Sequence, residues 1–167
     1  VLLPVACAIG TSGEITRLKR EIFEENTLDA VFTLPNEIFY PGASASACCM
    51  VFKIGTKHND VSNPDTFFGY CKDDGFKKKK NLGRVEQIDT DTGKSKWIEI
   101  EREWIELYRN RRPVDGLSAT HKVNGDDEWL CEAYMKTDYT KLTEQDFQQT
   151  INDYLAYLVK EGYVYES

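Results

Sequence analysis

Apolar positions change rhythm several times along the chain, and each change predicts an element. LLPVACAI (residues 2–9), LDAVFTL (28–34) and ACCMVFKI (47–54) are short unbroken apolar runs, the pattern of strands buried on both faces. Between the first two, Ile15, Leu18, Ile22 and Phe23 recur at i, i+3, i+7 and i+8, the stripe of an amphipathic helix. Thr11 and Glu14 precede it at capping-box spacing; Arg17, Lys19, Arg20, Glu21 and Glu24 are expected to face water. A helical crossover makes the first two strands parallel, with a right-handed connection. The link from the second strand to the third contains Pro35, Pro41 and Gly42 and has the length of a functional loop.

Further on, TFFGYCK (66–72) predicts a strand, Asp73-Asp74-Gly75 a turn and FKKKKNLGRVEQI (76–88) a return strand, together a β-hairpin. Trp97, Ile100, Trp104, Leu107 and Tyr108 repeat at helical spacing and stop before Pro113. DDEWLCEAYMK (126–136) predicts a short helix or extended piece that packs Trp129 and Tyr134. A last helix is expected after Thr143 as N-cap, with Phe147, Ile151, Tyr154, Leu155 and Leu158 on one face and Gly162 just past its end. On this pattern the chain divides into 1–58, a sheet region; 59–96, a hairpin extension with a basic run; and 97–167, a helical region.

A chain of 167 residues is enough for one domain with a real core. No apolar run approaches the roughly 18 residues that cross a bilayer, so no membrane association is expected. The net charge of −7 argues against a chain-wide nucleic-acid surface. Its distribution is uneven: residues 72–84 hold six basic and two acidic side chains, +4, whereas 85–167 hold ten basic and eighteen acidic, −8. Phosphate contact is therefore expected locally, at Lys77, Lys78, Lys79, Lys80 and Arg84. The alternative for these residues is a solvated hairpin edge kept from pairing by its charge. Cys7, Cys48, Cys49, Cys71 and Cys131 show no C-x-x-C spacing and are read as reduced thiols, mostly in the core of a cytosolic protein. His58 and His121 sit in polar stretches and are read as surface residues, so no metal is expected. The first residues lack an initiator Met and the features of a signal peptide. The expectation is a piece of a longer protein whose first strand has an unpaired edge and tends to self-associate.

No G-x-G-x-x-G, Walker loop, G-x-S-x-G or H-E-x-x-H is present, so no catalytic residue is expected in this stretch. LPVACAIGTSG…LDAVFTLPNEIFYPGASASACCMVFKIG resembles the last third of the catalytic domain of adenine-N6 DNA methyltransferases of the restriction-modification type. TFFGYCKDDGFKKKKNLGRVE…DEWLCEAYMKTDY looks like the modification subunit of type I restriction enzymes and their relatives. The resemblance implies an α/β fold: a partial Rossmann-like methyltransferase sheet plus a β-hairpin and carboxyl-terminal helices. Within that sheet the seventh strand, residues 47–54, inserts antiparallel between the fifth and sixth. It also implies S-adenosylmethionine as the cofactor of the full-length protein, with none bound by these residues, because the glycine-rich and N-P-P-Y-type motifs would lie upstream. The implied partners are DNA and the specificity and restriction subunits, in the cytoplasm.

In this superfamily an aromatic residue between the sixth and seventh strands stacks on the flipped target adenine. Phe39 or Tyr40 would fill that role here, and the small residues from Gly42 to Ala47, Gly42 and Ser44 among them, would let DNA approach closely. The bland alternative is that Ile-Phe-Tyr-Pro plugs the end of the sheet by packing. At the level of function the alternative is a non-catalytic interaction or assembly module that docks a partner through its sheet edge and acidic helices.

Overall fold

The computed structural model of the chain describes residues 1–43, 45–58 and 64–161. The backbone forms two compact units, Val1–Lys136 and Thr137–Ser167. Along the first run β1 (Leu2–Pro4), α1 (Val5–Ile9), α2 (Gly13–Glu25), β2 (Asn26–Thr33), β3 (Ala47–Ile54), β4 (Thr66–Tyr70), β5 (Phe76–Lys79), β6 (Gly83–Glu86), α3 (Lys96–Asn110) and β7 (Ser118–His121).

Five strands form one sheet in the order β1-β3-β2-β4-β7. β3 is antiparallel to both β1 and β2, so these two are parallel and are held apart by a strand that follows both in sequence. That is the expected placement of residues 47–54, and with it the partial Rossmann-like methyltransferase sheet. β2 also pairs in parallel with β4, and β4 antiparallel with β7. Residues 66–70 therefore extend the main sheet, and the hairpin is the smaller ribbon β5-β6.

β2 is central and buried almost throughout, hence its near-continuous apolar sequence. A bulge lifts Asp29 out of the ladder with β3 and changes the face parity of the strand. Leu28 and Val31 consequently share one core cluster with Phe23, Met50, Phe68 and Trp129, while Ala30 joins Phe67 and Leu107 on the α3 side. The bulged carboxylate accepts from the Tyr108 hydroxyl, lies 3.0 Å from Arg111 Nη2 and 3.1 Å from Lys53 Nζ. Burial opposes its charge, but the hydroxyl and the two cations outweigh burial and hold Asp29 below the ordinary carboxylate range. Burial and the neighbouring carboxylate push Tyr108 up to about 12.

Five expectations are corrected. The first apolar run is a strand only over Leu2–Pro4; Pro4, at φ −57°, starts α1, in which Ala8 alone is buried. No capping box forms at α2, whose N-cap is Ser12 without a side-chain hydrogen bond. Lys19 does not face water: it is 2% exposed. Its ammonium donates to the carbonyls of Ala8 (2.7 Å), Gly10 (3.0 Å) and Asp127 (2.9 Å) and lies over the Trp129 ring. The buried stripe of α2 is Thr16, Lys19 and Phe23, and Leu18 and Ile22 are turned outward. His58 is likewise in the core, stacked on Phe23 with ring centroids 3.8 Å apart. Its Nδ1 accepts from the Leu28 N–H and its Nε2 lies 2.9 Å from the Val123 carbonyl oxygen, the pairing of a neutral ring.

α3 follows the expected stripe. Ser95 caps it by accepting from the Trp97 N–H, and Arg111, at φ 46°, ends it ahead of Pro113. Trp129 is buried and precedes a single 3-10 turn, Cys131–Ala133. In the second unit, a 3-10 turn at Tyr139–Lys141 leads to α4 (Glu144–Lys160). Thr143 caps α4 in a reciprocal box with Asp146. Phe147, Ile151, Tyr154 and Leu155 form its apolar face, and all four are exposed. Gly162 lies outside the described residues.

Candidate nucleic-acid interface

The loop after β2 and the β5-β6 hairpin meet at the rim formed by the carboxyl ends of the parallel strands β2 and β4. Rims of this kind are where open α/β sheets bind ligands. The root of the loop is closed by the Leu34 N–H on the Ala47 carbonyl (3.1 Å). Turns then follow, with Ile38 N–H donating to Pro35 O, Tyr40 N–H to Glu37 O and Ala43 N–H to Phe39 O. Ile38 is the residue that packs inward, against Leu34, Ala47 and Cys71. The next side chain, Phe39, therefore points out and is 43% exposed; among the described residues no ring packs on it. Tyr40 is half-buried, and the Lys78 ammonium sits 4.4 Å from its ring centroid. Gly42 is exposed, and Ser44 lies outside the described residues.

The hairpin's register pairs Lys78 with Arg84 and Lys79 with Gly83. Alternation along a strand then puts Phe76, Lys78 and Arg84 on one face and Lys77 and Lys79 on the other. The first face is anchored to the protein. Arg84 makes a bidentate pair with Asp74 at 2.6 and 2.7 Å, both side chains largely buried, and lies over the Phe76 ring. Lys78 pairs with Glu37 at 3.0 Å, and that carboxylate raises its pKa. The second face is open: Lys77, Lys79 and Lys80 are exposed and, among the described residues, have no ion-pair partner. Gly75, at φ +73°, is required at the hairpin's root, because a Cβ there would fall 2.9 Å from the Trp97 backbone nitrogen.

Next to the loop, Lys72 Nζ donates to Asn36 Oδ1 at 2.9 Å and lies 3.8 Å from Glu132, which also accepts from Thr33 Oγ1 at 2.7 Å. Sequence reasoning singled out neither Asn36, Glu37 nor Glu132. Asn36 and Glu37 flank the aromatic pair and were legible as rim residues once that loop was placed; Glu132 reaches the rim from a distant segment that carries no local signal.

The arrangement supplies cations, hydrogen-bonding groups and one open aromatic ring. Burial raises the thiols of Cys48 to about 11 and Cys131 to about 12, and moves Cys71 the same way, which disfavours the thiolate at these three positions. Among the described residues no cluster of metal-ligating side chains occurs, and no helix is long and apolar enough to cross a membrane.

Residues 2–162 match the protein family described as N-6 DNA Methylase. The chain is 28% identical over 172 residues to the type II restriction enzyme and methyltransferase RM.BcgI of Heyndrickxia coagulans, covering 99% of this chain and 25% of that protein. Its fold is similar to that of the type I restriction-modification system methyltransferase subunit from Streptococcus thermophilus. The TM-score there is 0.53 at 21% identity, over 81% of this chain and 26% of that one. The chain thus spans about a quarter of the length of these two relatives.

Proposed function

The chain belongs to the N-6 DNA methylase family, and from that membership we propose that it is the carboxyl-terminal part of a cytoplasmic restriction-modification enzyme that methylates adenine N6 in DNA. In this reading the stretch contributes the surface on which the flipped target base and the neighbouring backbone rest, and by itself it is inactive. The observation that carries the proposal is the meeting, at one rim, of the loop that bears the outward ring of Phe39 and the hairpin that bears the exposed Lys77, Lys79 and Lys80, joined through Lys78 against Glu37 and Tyr40.

These residues do not make a site for S-adenosylmethionine, which the family uses as methyl donor. The glycine-containing turn ahead of α2, Gly10 to Gly13, is filled from within at Gly10. A Cβ at Gly10 would fall 2.4 Å from Ile15 Cδ1, and the Gly10 carbonyl is taken by Lys19. The cofactor is assigned to the remainder of the full-length protein, and no chemical step is assigned to this stretch.

Its contribution is binding and orientation. An adenine inside the duplex cannot present N6, so it must leave the stack. Phe39 receives its face, an interaction worth ~1–3 kcal/mol; Tyr40, loaded with Lys78 on its ring, props the loop. Lys77, Lys79 and Lys80 neutralise phosphates, whereas Lys78 and Arg84 hold the hairpin in place. In the full-length enzyme, Phe39→Ala is expected to weaken binding to its recognition site by about five- to 150-fold, and Tyr40→Ala by less. Changing Lys77, Lys79 and Lys80 together to Gln should flatten the plot of log affinity against log salt by up to about 2.7. Unchanged affinity in Phe39→Ala together with an unchanged salt slope would rule the interface out.

A second reading, an assembly module, is favoured by one feature: the exposed apolar face of α4. The two readings are compatible if α4 docks the specificity or restriction subunit while the rim engages DNA.

A further inference from the structure

The residues that connect β5 to β6 are Lys80, Asn81 and Leu82, closed by the Leu82 N–H on the Lys79 carbonyl at 3.2 Å. Asn81 at φ 64° and Gly83 at φ 78° supply the left-handed backbone that such a short connection needs. Leu82 supplies nothing of that kind. It is 71% exposed and belongs to none of the core clusters among the described residues, so the fold gains little from an apolar side chain there. Turn positions ordinarily carry Gly, Asn, Asp or Ser. An isolated leucine at the tip, two residues after Lys80, therefore calls for a ligand with an apolar interior and an anionic exterior.

The tip is also held still. Arg84 is clamped to Asp74 and Lys78 to Glu37, and Pro41 Cδ lies 3.7 Å from where a Cβ on Gly83 would be. The turn thus stands beside the loop that presents Phe39. We propose that Leu82 is a wedge that enters the base stack of duplex DNA next to the target base and fills the gap left when that base swings out, with Lys79 and Lys80 on the flanking phosphates. Aliphatic wedges open base steps in this way in other DNA-binding proteins, and here the turn that carries the wedge lies against Pro41 of the loop that presents Phe39. The inference rests on the base-receiving role proposed for Phe39.

The test uses the full-length enzyme and two duplexes containing its recognition site. One is fully paired with 2-aminopurine at the target adenine, whose fluorescence rises on unstacking; in the other the target adenine is mismatched, so that it is already loosened. Leu82→Ala and Leu82→Gln are expected to cut affinity for the paired duplex at least tenfold and to reduce the fluorescence rise. On the mismatched duplex the loss should be under twofold, because less opening remains to be done. Equal losses on both duplexes, or none on either, overturn the wedge, as does a defect confined to assembly with other subunits. Phe39→Ala measured in parallel separates the two ideas. If it weakens binding while both Leu82 variants match wild type, only the wedge fails; if it too matches wild type, the base-receiving reading fails with it.

Discussion

At the scale of single residues, the core contains an imidazole whose burial disfavours its charge. His58 is enclosed by Phe23 and engaged by the Leu28 N–H and the Val123 carbonyl, and burial lowers its pKa against the opposing pull of that carbonyl. The unfolded chain, with an ordinary histidine near 6.5, takes up a proton before the folded one does. The ring's contribution to stability is therefore complete above about pH 6.5 and is lost as pH falls below it. Asp29, whose pKa is also lowered, loses its contribution only under much more acidic conditions, so it does not obscure this window. The urea midpoint of the protein should drop between pH 7 and pH 5, and His58→Gln, which keeps one donor and one acceptor, should show a flatter profile. Parallel profiles for the two proteins would remove the histidine as the cause. Neither His58 nor Lys19 was legible in the sequence as buried. Each looks polar in its own segment and is buried only because distant carbonyls, at Val123 and at Asp127, come within reach.

At the scale of elements, legibility followed the strength of local signals. α3 and α4 carry caps at Ser95 and Thr143 and clear apolar stripes, and both form as expected. The strands at 26–33 and 47–54 were recognisable because a buried central strand has few polar positions to blur the pattern. β7 was not recognisable: Ser-Ala-Thr-His has no periodicity, and it is a strand only because β4 offers it an edge. The hairpin was placed too wide for a related reason, since nothing local tells Thr66–Tyr70 that its partner is β2. α4 itself makes a prediction. A helix this well capped, with Phe147, Ile151, Tyr154 and Leu155 exposed, should be a docking surface. In the full-length enzyme, Phe147→Asp with Leu155→Asp is expected to lower association with the other subunits at least tenfold, by sedimentation, while affinity of the enzyme itself for DNA stays within about twofold. Loss of DNA binding with assembly intact would contradict that division of labour.

At the scale of the whole molecule, the chain spans about a quarter of the length of RM.BcgI. β1 forms one end of the sheet, with Val1 and Leu2 exposed. An apolar groove of about 270 Å³, walled by Phe32, Leu34, Cys49, Trp104 and Tyr108, opens beside α3. Both features favour self-association of the isolated chain. Its sedimentation coefficient should rise with concentration, and the full-length enzyme should not show that rise at matched concentrations; a concentration-independent monomer would refute it. The order β1-β3-β2 also sets a timetable for synthesis. The lane between β1 and β2 is occupied by residues 47–54, so β1 lacks its β3 neighbour until some 45 further residues have been translated. At 5–20 residues per second that is a wait of roughly 2–9 seconds, during which Leu2 and Leu3 depend on whatever precedes them, or on a chaperone, to stay out of the wrong sheet.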